Sequence, residues 1–270
     1  MLGQGEFPDL GEEESVLPDD IGPFSAEVLG RPLRAYQLQI VRAICQSVLR
    51  GWGLSFAVAM PRQAGKNECS AHLEAYLMHR FRETGGSIVK AAPTFSPQAI
   101  NSLLRLGEML DASPAATDLR RPQRYIYQLD HARTIFLSAQ PTANVVGATA
   151  NLLLECDEAQ DVDPDKWDKD FAPMAASTNA TRVFWGTMWT SQTLLARAIR
   201  EGRRAQAADG RQRVFLVPWE RVAAEVPAYG AYVRGEIDRL GIEHPLIRTQ
   251  YLLQEIDGEA GMFPLARQAQ

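Results

Sequence analysis

Apolar positions along the chain follow two periods. Leu38, Val41, Ile44, Cys45, Val48 and Leu49 recur at helical spacing from Leu33 onward and stop at Gly51, which predicts an amphipathic helix. The short apolar run 54–60 predicts a buried strand, followed by a Gly-containing loop, a helical stretch through Arg82, a Gly85-Gly86 turn and a second buried strand at 87–92. This βαβ rhythm implies a parallel sheet covered by helices. Further strands are expected at 125–129, 134–138, 152–156, 182–185 and 214–217, with a helix near 194–206.

The ends of the chain differ from this pattern. Residues 1 to 30 are rich in Gly, Pro and acidic side chains without an apolar period, the composition of a flexible arm. The core is expected over 31–217. Beyond it, 218–270 holds helical segments at 231–240 and 245–255, then Gly258, Gly261 and Pro264, and is expected to form a small lid or linker.

Composition narrows the class. With 270 residues, 46% of them hydrophobic, the chain buries at least one full core. A net charge of -5 argues against a diffuse electrostatic hold on nucleic acid, so any DNA contact must come from a local basic patch. Arg197, Arg200, Arg203, Arg204, Arg211 and Arg213 form the densest one, although a charged helix face explains them better than DNA contact does. Cys45, Cys69 and Cys156 are far apart in apolar surroundings and read as reduced core thiols. No apolar run approaches the roughly 18 residues that span a bilayer, and the acidic start lacks the positive flank of a signal peptide, so a cytoplasmic protein is expected. His72, His79, His131 and His244 do not form metal-ligand spacings, and no Gly-x-Ser-x-Gly elbow is present.

Two segments carry chemistry. Pro61-Arg62-Gln63-Ala64-Gly65-Lys66-Asn67 lies between an apolar strand and a helix, where backbone N–H groups and a helix N-terminus cradle phosphates and Lys66 reaches the β- and γ-phosphates of ATP. Met60 stands where the first Gly is usual, and Asn67 where Ser or Thr normally binds Mg²⁺. About 90 residues later, an apolar strand ends in Asp157-Glu158, placing one carboxylate for the metal and the other to polarise attacking water. Asp161, Asp163 and Asp165 imitate the start of a calcium loop, but Lys166 and Ala172 occupy the positions that need Gly and Glu.

From Leu33 to Pro264 the chain resembles the terminase large subunits of tailed phages. Leu33-Arg34-Ala35-Tyr36-Gln37 looks like the family's adenine motif, and Arg62 to Lys66 is similar to its phosphate loop. Ala91-Ala92-Pro93-Thr94 with Gln98-Ala99 resembles the motif after the second strand, and Phe184-Trp185-Gly186-Thr187 the coupling motif. The tail Tyr251-Leu252-Leu253-Gln254-Glu255, then Gly261-Met262-Phe263-Pro264, resembles the connection to the nuclease half. The resemblance implies a three-layer P-loop NTPase fold of the RecA-like type, with ATP and Mg²⁺ as cofactors. Tyr36 and Gln37 would contact adenine, Arg62 the γ-phosphate, and Asp157 and Asn67 the metal, while Thr187 would sense hydrolysis. It further implies a motor driving double-stranded DNA into a procapsid, with portal and small terminase subunit as partners and a homo-oligomeric ring as the assembled form.

Several positions depart from that pattern. Asn67 has no hydroxyl, and Val146 stands where some relatives carry a trans-acting arginine, leaving Arg121, Arg124, Arg133 and Arg182 as candidates. No second acid cluster follows before Gln270, so no nuclease activity is expected of this polypeptide. Two rivals remain: a helicase, because Asp157-Glu158-Ala159-Gln160 resembles the helicase acidic box, and a catalytically silent nucleotide-binding module, motivated by Asn67. The stretch after Pro218 is too short for the second motor domain such a helicase needs.

Overall fold

A computed structural model describes residues 18–145 and 147–256. Val146 and the tail motif around Gly261 therefore lie outside the described residues. One sheet dominates, with eight strands among the described residues: β1 Ser55–Ala59, β2 Gly86–Ala92, β3 Leu119–Gln123, β4 Ile126–Leu129, β5 Ala132–Ser138, β6 Leu153–Cys156, β7 Thr181–Gly186 and β8 Val214–Leu216. Their order is β3-β4-β5-β2-β6-β7-β1-β8. All pairings from β5 to β8 are parallel, and β3 and β4 add an antiparallel hairpin at one edge.

Alternation along the strands feeds two cores. Phe56 and Val58 of β1 face one core, Ala57 and Ala59 the other. The first core is closed by α2 Ala35–Leu49, α3 Lys66–Arg80 and α4 Ile100–Asp111. The second is closed by α6 Leu194–Asp209 and by the segment containing α5 Pro164–Lys166 and a π-turn Trp167–Phe171. The result is the expected three-layer α/β architecture. Among the described residues three helices follow β8: α7 Trp219–Glu225, α8 Pro227–Leu240 and α9 Pro245–Gln250. They dock through Val222, Tyr229, Val233 and Ile247 on the first core.

Two expectations need correction. The composition predicts a flexible arm over residues 1–30, but within its described part, 18–30, α1 Ile21–Pro23 and the π-turn Phe24–Val28 pack Ile21, Phe24 and Leu29 into the core. Three large apolar groups suffice to hold this short segment, and Asp20 caps it by accepting from the Gly22 amide at 2.7 Å. The helix expected to run to residue 255 ends at Gln250, because Leu253 adopts a positive φ of 53° and the chain turns back to pair Ile256 with Trp189. Among the described residues no helix is long and apolar enough to cross a membrane.

Candidate nucleotide site

The loop after β1, the acids after β6 and Thr187 after β7 all leave the carboxyl ends of parallel strands on one edge, the usual ligand edge of such sheets. Because β7 lies between β6 and β1, Thr187 falls between the acids and the phosphate loop. These elements enclose a cleft of about 1100 Å³ lined on the loop side by residues 61–68 and opposite by Glu158, Gln160, Asp161 and Thr187.

The loop is held open by backbone geometry. Gly65 caps α3 in the left-handed region at φ 86°, and Gln63 also has positive φ. Glycine suits this conformation, and a Cβ there would lie 2.4 Å from Gln37 Nε2 and displace that amide. The first bond of α3 runs from the Cys69 amide to Gly65 oxygen, leaving the amides of Lys66, Asn67 and Glu68 as the positive end of a helix facing the cleft. Pro61 and Ala64 are buried in the loop base, while Arg62 and Gln63 are exposed at its tip. The Arg62 amide donates to Gln250 oxygen at 3.3 Å, tying the loop to α9.

The adenine motif takes a different place for one of its members. Tyr36 is fully buried and its hydroxyl donates to Ala64 oxygen at 2.8 Å, so its ring has no face to offer a base and instead braces the loop from beneath. Gln37 donates to Gly65 oxygen at 3.3 Å and accepts from the Arg34 amide at 2.9 Å, and it still borders the cleft.

Lys66 Nζ meets Glu158 Oε1 at 2.6 Å. Glu158 sits in the left-handed region at φ 46°, uncommon for a residue with a side chain. Its second oxygen, Oε2, accepts from Gln160 Nε2 at 2.8 Å. Asp157 is buried: Oδ1 accepts from the Glu158 amide at 3.0 Å and Oδ2 from Ser102 Oγ at 3.1 Å. Thr187 Oγ1 donates to Met60 oxygen at 3.1 Å, joining the end of β7 to the end of β1.

The sequence reading missed three groups. Gln160 bridges the acids and Thr187, whose amide donates to Gln160 Oε1 at 3.1 Å. Arg105 reaches the cleft from α4 and binds Glu68 at 2.6 Å. Glu68 is also bound by His72, and these hydrogen bonds, His72 first, hold its carboxyl down at about 2 against the opposing effect of burial. Beneath the cleft, Lys90 donates to Ser70 at 2.7 Å and pairs with Glu74 at 3.3 Å, while Glu155 accepts from Ser70 at 2.9 Å and from the Trp185 indole at 2.7 Å. Burial pushes the Glu74 carboxyl well above the usual carboxylate range.

The arginine candidates are spread out. Arg121 is bound to Asp111 and Arg133 to Ser87, Arg182 lines a cleft with Trp52 and Trp167 away from the loop, and Arg124 is exposed between β3 and β4. In the basic stretch, Arg197 is bidentate to Asp168, Arg213 pairs with Asp209 and Arg211 covers the Trp52 ring. A charged helix face describes most of that stretch.

No family model and no curated protein sequence matches the chain. Solved structures do. The large terminase ATPase domain of Thermus phage P74-26 superposes with a TM-score of 0.67 at 17% identity, over 86% of this chain and 97% of that one. The HK97 bacteriophage large terminase gives 0.68 at 15% identity, over 87% of this chain and 54% of that one. The large terminase of thermophilic bacteriophage D6E, solved in complex with ADP, gives 0.58 at 11% identity, over 82% and 53%. The chain thus has the fold of phage large terminase ATPase domains and spans about half the length of the HK97 and D6E proteins.

Proposed function

We propose that the chain is an ATP hydrolase and the motor part of a machine that drives double-stranded DNA into a procapsid. The observation that carries this reading is the approach of Lys66 to Glu158 across a cleft walled by a left-handed glycine loop and a helix N-terminus. ATP would lay its phosphates along 61–67, with Lys66 and Arg62 as cations for the β- and γ-phosphates and Gln37 and Arg34 also bordering the cleft. Glu158 would accept the proton of the attacking water, and the loop amides and cations would stabilise the charge that develops on the phosphoryl oxygens.

Mg²⁺ fits the donor chemistry, since the Asn67 amide oxygen borders the cleft, Asp157, buried after β6 and held by the Glu158 amide and Ser102, carries a hard carboxylate, and this ion normally keeps several waters. When bound it would neutralise charge between the β- and γ-phosphates. Thr187, fixed to Met60, would pass the change at the acids to β7 and β1. A ring of copies, an arginine from a neighbour, a portal, a small terminase subunit and the host cytoplasm belong to the same reading.

The test is phosphate release from ATP with Mg²⁺, comparing the native chain with Glu158→Gln at several protein concentrations, with and without duplex DNA. Turnover abolished by the substitution while ATP still binds supports the hydrolase, and a rate that rises with concentration supports an arginine supplied in trans. Nucleotide binding without turnover in either protein, under all conditions, replaces this reading with a silent nucleotide-binding module, the reading that Asn67 favours.

A further inference from the structure

We infer that Gln160 is a positioning residue that links the orientation of Glu158 to the backbone of β7, an inference that rests on the hydrolytic reading above. Three contacts carry it. The Gln160 amide nitrogen donates to Glu158 Oε2 at 2.8 Å and to Asp161 Oδ2 at 2.9 Å, and its amide oxygen accepts from the Thr187 backbone N–H at 3.1 Å. A carboxamide is the side chain that can do both jobs at once, because it offers donors at one atom and an acceptor at the other. The space is built for it: a Cβ on Gly186 would stand 2.4 Å from Gln160 Oε1, so the glycine of the Gly186-Thr187 pair leaves room for this amide.

The division of Glu158 between two partners gives the link its sense. Lys66 takes Oε1 and Gln160 takes Oε2. A phosphate oxygen that draws Lys66 toward itself releases Oε1, while Oε2 stays on Gln160, so the carboxylate turns about a fixed oxygen and presents the released one to water. Any movement of Glu158 then pulls on Gln160, and through Gln160 on the Thr187 amide, which is anchored by its hydroxyl to Met60 at the end of β1. The chain Lys66–Glu158–Gln160–Thr187–Met60 closes on the strand that feeds the phosphate loop.

Three variants of the full chain separate the contacts. Gln160→Met keeps the length and removes donor and acceptor together. Gln160→Glu keeps an acceptor for the Thr187 amide and sets a carboxylate against Glu158 and Asp161. Gly186→Ala leaves residue 160 unchanged and sets a methyl 2.4 Å from its amide oxygen and 2.8 Å from Leu195 Cδ2, so it is read beside a Leu195→Ala partner that relieves the second contact. Each is compared with native protein by kcat, by affinity for a non-hydrolysable ATP analogue, and by the Thr187 amide resonance of isotope-labelled protein with and without that analogue. Expected for Gln160→Met is a fall in kcat of about tenfold to hundredfold with affinity within about threefold, the pattern of a misplaced catalytic group rather than lost binding. Thr187 should respond to the analogue in native protein and lose that response in Gln160→Met and Gly186→Ala, while Gln160→Glu loses rate and keeps the Thr187 amide hydrogen bond.

Unchanged kcat in folded Gln160→Met, or a Thr187 response that survives it, overturns the link. If native protein binds the analogue without turning over ATP, the hydrolase reading fails, and the Thr187 response alone decides the link. If native protein does not bind the analogue, both fall.

Discussion

Lys66 Nζ lies 2.6 Å from Glu158 Oε1, so the cation assigned to phosphate and the carboxylate assigned to water are partners across the cleft. A phosphate oxygen must compete with Glu158 for that ammonium. Glu158→Gln removes the competitor, and with the pair partly shielded its effect should be of the order of about 1 kcal/mol, several-fold in affinity. The expected outcome is tighter binding of a non-hydrolysable ATP analogue to Glu158→Gln than to native protein by calorimetric titration, with the gap narrowing at high salt. Equal or weaker binding by the variant would show that Lys66 is not held back by Glu158.

Gly65 and Tyr36 support the loop from its two sides. Gly65→Ala meets a φ of 86° and the Gln37 amide together. Left-handed backbone alone costs about 1–2 kcal/mol for a side-chain-bearing residue, so the melting temperature should fall and nucleotide affinity should drop with it. Tyr36→Phe leaves the Ala64 carbonyl without its hydroxyl partner, a loss of about 1–3 kcal/mol for a buried acceptor. Because Tyr36 offers no face to a base, this variant should weaken ATP and GTP alike; a selective loss of ATP would restore Tyr36 to the adenine subsite.

These two residues also show where the sequence was legible. The strands that carry the loop and the acids are mostly apolar runs buried on both faces, interrupted only by Ser55 and Glu155, and their pattern alone locates 54–60 and 152–156 to within a residue or two of β1 and β6. Helix α4 is not legible in the pattern although Ser102, Leu106, Met109 and Leu110 share its buried face. Its period is interrupted by Gly107, which is small because the Tyr127 hydroxyl would stand 2.5 Å from a Cβ there. The exposed edge strand β3 contains Pro122 and two arginines and has no apolar alternation to read. With α4 unseen, Arg105 and Ser102 could not be placed at the site. Gln160 was visible only as part of an acidic box, since its role comes from meeting Thr187, which lies 27 residues further along the chain.

The buried network beneath the cleft makes an opposite pair of stability predictions. Lys90 is the cation for Glu74 at 3.3 Å, and both are fully enclosed. Lys90→Met leaves Ser70 and the buried Glu74 without their donor and should destabilise the chain by about 1–3 kcal/mol in urea unfolding. Glu74→Gln should be mild, and in combination with Lys90→Met should recover part of the loss.

The pH dependence of Glu74 has a definite sign. Burial raises its folded pKa above 4.5, so between that value and the folded pKa the native protein holds a proton that the unfolded chain has released. Its contribution is complete below the unfolded pKa and is lost as pH rises toward the folded one, at up to about 1.4 kcal/mol per pH unit. Glu68 runs the other way: held at about 2, it contributes above 4.5 and loses that contribution as pH falls toward 2. Unfolding free energies from pH 3 to 8 should therefore fall less steeply toward alkaline pH in Glu74→Gln and less steeply toward acid in Glu68→Gln, each against the native curve. A Glu74→Gln curve parallel to native would mean that Glu74 is ionised in the fold.

Asn67 supplies the most direct test of the metal assignment. It follows Lys66 in the first turn of α3 and borders the cleft, at the position where a hydroxyl ordinarily binds Mg²⁺. An amide oxygen is a hard donor of suitable chemistry, but it reaches further from the backbone and carries an N–H₂ group that cannot ligate. With the buried Asp157 shared between the Glu158 amide and Ser102, metal affinity should be limited by Asn67. Asn67→Thr restores the hydroxyl, and a β-branched residue in a first helical turn costs only a few tenths of a kcal/mol. The expected result is a several-fold lower Mg²⁺ concentration for half-maximal ATP hydrolysis, of the order of about 1 kcal/mol, with ATP affinity in the absence of metal unchanged. Asn67→Ala should move the Mg²⁺ requirement upward. If neither substitution shifts the Mg²⁺ titration, the metal is held without residue 67, and Asp157 becomes the ligand to substitute next.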